Sequence, residues 1–119
     1  MSKILVHLTF GPEAPTRAAL AFLVARSAMD DGHEVSLFLA GDAVQLLRAP
    51  TVDALHGIGT GALREHVDAL AAGGATVYAS GMSSKARAVG TDTTPIPVEM
   101  ATPNRLVELV LEHDRVITY

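Results

Sequence analysis

Apolar residues along this chain fall into short continuous runs separated by longer stretches of helical period, and that alternation predicts the elements. Lys3–Thr9 (KILVHLT) is β-branched and almost unbroken in apolar character, as expected of a strand buried on both faces of a parallel sheet. Pro15 falls at a first helical turn, where a missing N–H costs nothing. A helix follows over Thr16–Met29, with Leu20, Leu23, Val24 and Ser27 on one face and Gly32 as its left-handed cap. His33–Ala40 (HEVSLFLA) is the second strand, after which Asp42 caps a short helix through Leu47. Ala49–Gly59 is the least regular stretch, broken by Pro50, Gly57 and Gly59. It is long enough for a mobile lid, with room for a short helix over Val52–His56. Thr60 opens a helix over Gly61–Ala72 that turns Leu63, Val67, Leu70 and Ala71 inward, and Gly73-Gly74 stops it.

Ala75–Ala79 is the third strand. It runs at once into Ser80-Gly81-Met82-Ser83 and a helical segment carrying Lys85 and Arg87. Thr91–Pro95 is a polar connector, and Pro97–Met100 a short fourth strand whose prolines suit poor pairing at its entry. Thr102-Pro103 is the clearest helix start, a capping hydroxyl followed by proline. That helix runs to about His113 with Leu106, Leu109 and Val110 inward, and Arg115–Tyr119 is a last strand. Strands alternating with helices predict an α/β fold, a three-layer α/β/α arrangement around a mostly parallel five-stranded sheet. At 119 residues the expectation is one domain, 1–119.

Composition narrows the function more than the fold. With 49% apolar and 18% charged residues, a real core forms without staples. A net charge of −4 and nine scattered basic residues leave no stripe for nucleic acid. The absence of cysteine excludes disulfides, thiolate metal sites and thiol chemistry. Ile4–Leu8 lacks the cleavage region of a leader. Ala18–Ala25 is far short of the roughly 20 residues of a membrane span. The expectation is a cytoplasmic protein.

In parallel sheets, ligands gather beyond the C-terminal ends of the strands. Three small-residue turns lie there: Thr9-Phe10-Gly11, Gly41-Asp42, and Ser80-Gly81-Met82-Ser83-Ser84. The last sits at a helix start, where free N–H groups and the dipole favour an anion. From spacing alone, helix capping is the plainer reading of both Ser80 and Ser83. No G-x-G-x-x-G or Walker loop is present. None of the five histidines forms a helix-spaced pair, so neither a metal nor a cofactor is expected. His7 reads as a satisfied core residue, His33 and His66 as solvated. Ser80 lacks the first glycine of a nucleophile elbow, and a base would have to come from His7 or His56 through folding. Asp42 reads as a cap or an acid. Arg87, seven residues after Ser80, reads as a site-ordering group, a bridge between subunits or a surface cation. Met82 is a flexible apolar contact at the turn or part of the core.

Two segments, KILVHLTFGPEAPTRAALAFLVARSAMDDGHEVSLFLAGDAV (Lys3–Val44) and VYASGMSSKARAVG (Val77–Gly90), resemble the DsrE/DsrF/TusD-like family of small sulfur-relay and related proteins. The first is similar to the family's opening β-α-β, the second to its site segment. In that register Ser80 stands where the family has a cysteine, Ser83 where some members have a second, and Arg87 where they have an arginine. The resemblance implies trimers or hexamers, with sites near subunit contacts and a persulfide on the cysteine. Serine forms no persulfide and is not ionised near neutral pH. The expected function is therefore a non-catalytic, oligomeric DsrE-like protein, binding a small molecule or anion at Thr9, Phe10, Gly11, Gly41, Asp42, Ser80, Gly81, Met82, Ser83, Ser84 and Arg87, or serving as an accessory subunit in sulfur metabolism. The alternatives are a sulfurtransferase component whose thiol comes from a partner protein, and a hydrolase using Ser80.

Overall fold

The computed structural model describes residues 1–91 and 94–119. Five strands form one parallel sheet: β1 (Lys3–Leu8), β2 (Glu34–Leu39), β5 (Thr76–Ser80), β6 (Val98–Ala101) and β7 (Arg115–Thr118). Their order is β6-β5-β2-β1-β7, so the most apolar strands are central and the proline-flanked β6 lies at an edge. Helices α1 (Pro15–Asp30) and α3 (Leu63–Ala72) cover one face, and α5 (Pro103–Glu112) covers the other. This is the expected three-layer α/β/α fold. The polar connector expected over Thr91–Pro95 includes Asp92 and Thr93, which lie outside the described residues.

The main core lies on the α1 face, where Val6, Leu8, Leu37, Leu39, Val77 and Ala79 alternate inward from the strands. Helix α1 meets it with Ala18, Ala19, Ala21, Phe22 and Ala25. Of the residues expected on one inward face, Leu20, Leu23 and Val24 are only half-buried and Ser27 is exposed. The helix is apolar nearly all round, so its period does not announce a face. Methyl-sized side chains let its backbone lie closer to the sheet. Gly32, with φ 91°, closes α1 as expected.

The expected irregular lid is instead built in. Residues Ala49–Ala54 form α2, with Pro50 in its first turn, and a hairpin of β3 (His56–Gly57) and β4 (Gly61–Ala62) follows. Val52 and Leu55 are buried in the main core, which ties the segment down. Helix α3 starts two residues later than expected, after Ala62, because the hairpin takes the first two. His66, expected in solvent, is buried. Its Nε2 lies 2.7 Å from the Thr60 carbonyl oxygen and its Nδ1 3.4 Å from the Arg26 guanidinium, which bridges α3, the hairpin turn and α1. His33 is half-buried, and its Nδ1 accepts from the Ser2 backbone N–H. Val110, expected inward, is exposed; Leu109 is the buried residue of α5.

Candidate functional site

The three expected turns do converge at the C-terminal ends of β1, β2 and β5. After β2 the chain enters a 3-10 helix, Gly41–Leu47. Gly41 has φ 58°, a left-handed conformation that suits glycine. Gly11 packs so tightly on this turn that a Cβ would collide with the Asp42 carbonyl oxygen. Its own N–H donates to Glu13 Oε1 at 2.7 Å. Thr9 N–H donates to the Tyr119 carbonyl. Phe10 projects from the same loop, with the Arg17 guanidinium 4.2 Å above its ring.

Helix α4 (Gly81–Ala86) completes the cluster, and its serines divide the work. Ser80 Oγ accepts from Ser83 N–H at 3.1 Å, the capping role. Ser83 does not cap. Its Oγ accepts from Gly41 N–H at 2.9 Å, across 42 residues of sequence. Ser84 is buried, and its Oγ has no partner among the described residues. Met82 is not core but 70% exposed on the first turn of α4, beside Gly81, where an added Cβ would meet the Ala101 carbonyl oxygen only at ordinary contact distance.

Asp42 neither caps nor stands free. The 3-10 helix has no side-chain cap, and Asp42 Oδ1 accepts from Arg87 Nε at 3.1 Å. Arg87 follows the last residue of α4 rather than extending the helix, and also donates to the Ser83 carbonyl at 3.2 Å. It therefore orders the site. Arg48, which the sequence reading did not single out, donates to the Arg87 carbonyl at 2.9 Å and to the Ala88 carbonyl. Ala88 holds φ 52°, unusual for a residue with a Cβ. No local motif marks Arg48; only the fold brings it to α4. Gly41, Asp42, Ser80, Ser83, Arg87 and Arg48 thus form one closed hydrogen-bonded set.

That set limits the chemistry. Among the described residues no histidine or carboxylate hydrogen-bonds to Ser80 Oγ, so the relay that activates a serine is not assembled. No group of three His, Asp or Glu able to hold a metal occurs among the described residues, and none of their helices is long and apolar enough to cross a membrane. An open cleft of about 270 Å³ lies beside the cluster, lined by Pro12, Pro15, Thr51, Ala54, Leu55 and His56. His7, expected to be satisfied, has a buried Nε2 with no partner among the described residues, and desolvation pushes its pKa down.

The fold is shared with small proteins of known structure. The ychN protein from E. coli matches with a TM-score of 0.85 at 20% identity over 100% of both chains. A protein of unknown function from Methanobacterium thermoautotrophicum matches with a TM-score of 0.74 at 15% identity over 100% of both. A conserved protein of unknown function from Bacteroides thetaiotaomicron matches with a TM-score of 0.73 at 14% identity, over 99% of this chain and 95% of that one. No curated protein matches. The profile of the DsrE/DsrF-like family matches residues 2–119, and the chain belongs to that family.

Proposed function

We propose that this chain is a non-catalytic DsrE-like subunit, oligomeric and cytoplasmic, that serves sulfur metabolism by association and carries no sulfur itself. The observation behind this reading is Ser80. It stands in the register of the family's cysteine, and its oxygen caps α4. A persulfide needs a thiolate to attack a sulfur donor, and the hydroxyl remains protonated near neutral pH. Between an anion pocket and an accessory role, the closed set favours the second. Asp42 offsets the charge of Arg87, and Ser83 Oγ already holds the Gly41 N–H. Trimers or hexamers, or a complex with a cysteine-bearing partner, are the assemblies that fit.

The test is sulfur loading followed by intact-protein mass. After incubation with a persulfide donor the wild-type chain gains no sulfur, whereas Ser80→Cys gains one. Sulfur uptake by the wild-type chain, or labelling of Ser80 by a fluorophosphonate probe, sinks the reading.

A further inference from the structure

With no cysteine in the chain, its only sulfur is that of four methionines, and the fold treats the four differently. Met29 packs against the main core, its sulfur so close to Gly73 that a Cβ there would collide with it. Met100 lies on the edge strand β6 and is 39% exposed, whereas Met82 is 70% exposed and Met1, at the first residue, 90%. Met82 belongs to neither core cluster. It stands on the first turn of α4, just beyond the C-terminal end of β5. Away from the first residue, this turn therefore carries the most open thioether of the chain.

We propose that Met82 is a site of reversible oxidation, taking one oxygen from hydrogen peroxide without disturbing the fold, independently of the accessory role above. A lone pair on Sδ attacks the peroxide. The S–O bond forms as the O–O bond breaks, and after a proton shift the second oxygen leaves as water. The sulfur gives up two electrons and the peroxide gains them. The return step uses a dithiol reductase, which releases the oxygen as water and is itself oxidised to a disulfide.

A sulfoxide turns a flexible apolar side chain into a polar one, so its effect depends on its place. At Met29 the new oxygen would enter the main core, where an unpaired polar atom is costly. At Met82 it meets water. Lys85, exposed one turn further along α4, offers it an ammonium donor. The oxidised side chain also resembles glutamine in length and in the place of its oxygen, and glutamine suits a helix well. The Ser80 cap and the Ser83 contact involve neither the sulfur nor its neighbours on the side chain, so α4 keeps its ties.

The test is limited oxidation of the full chain with hydrogen peroxide, read by peptide mass mapping. Mapping also separates this chemistry from sulfur loading, because two sulfoxides add about 32 Da, nearly the mass of one sulfur atom. Met82 is expected to react within about twofold of the rate at Met1, Met100 several-fold more slowly, and Met29 only in denaturant. Protein oxidised at Met82 should melt within about 2 °C of the untreated chain. The reductases for the two sulfoxide epimers, supplied with a dithiol, should restore its mass. Met82→Gln, a permanent mimic of the sulfoxide, should melt like the wild type. A Met82 that reacts no faster than Met100 overturns the site. A fall in melting temperature on oxidation or in Met82→Gln makes the change a lesion and overturns reversibility. Protection of Met82 at high protein concentration that is lost on dilution also overturns the site, and leaves the oligomeric reading standing.

Discussion

A methyl group at position 11 has nowhere to go. The Asp42 carbonyl oxygen occupies the space a Cβ would need, so Gly11→Ala must push the loop after β1 away from the 3-10 helix. The expected cost is about 1–3 kcal/mol, read as a lower urea midpoint with unchanged slope. His7 makes a prediction of opposite character, one that depends on pH. Burial lowers its pKa in the fold, so the unfolded chain binds the proton more readily. Stability is therefore undiminished above the unfolded value of about 6.5 and falls as pH drops through it toward the lowered value. Melting temperature at pH 8 and pH 5 should differ more for the wild-type chain than for His7→Leu, which carries no titrating ring. Equal pH dependence in the two proteins would assign the acid sensitivity elsewhere. His66 was misread from its sequence position on an amphipathic helix. The carbonyl it reaches belongs to Thr60, in a hairpin that no local pattern announces. His66→Ala leaves that acceptor without its partner in a buried place, and a loss of about 1–3 kcal/mol is expected.

At the scale of elements, α4 is the instructive case. Six residues cannot sustain a helix by themselves, so α4 exists because its neighbours hold it. The Ser80 cap, the Ser83–Gly41 hydrogen bond, the Arg87–Asp42 pair and the Arg48 clamp all converge on it. Ser80→Ala should cost about 1 kcal/mol by loss of the cap. Asp42 is more than half exposed, so a double-mutant cycle of Asp42→Ala and Arg87→Ala should give a coupling of roughly 1 kcal/mol or less. A much larger coupling would mean the pair is shielded in an assembly. Ser80 as a cap was legible in the sequence because capping spans three residues. Arg87 with Asp42 was not, since the partners are 45 residues apart. Gly32 and Thr102-Pro103 were legible for the same local reason as Ser80. The inner face of α1 was not, because a helix apolar on every side carries no directional signal.

For the whole molecule, strand number and parallel direction followed from alternation and from the apolar runs of Lys3–Leu8 and Glu34–Leu39. Strand order did not, because β1 lies between β2 and β7 and the partners of the second pairing sit at opposite ends of the described chain. The junction is firm in the fold: Lys3 N–H donates to the Asp114 carboxylate at 2.7 Å, and the Asp114 N–H donates to the Lys3 carbonyl at 2.8 Å. It also has a consequence for biosynthesis. As the polypeptide leaves the ribosome, β1 emerges early and finds β2 within a few dozen residues, but its other edge stays open until Arg115–Thr118 is made. During that interval a largely apolar strand presents unpaired backbone groups to neighbouring nascent chains. Truncation just before Arg115 should freeze this vulnerable stage and send the product into inclusion bodies, even though the main core would be complete.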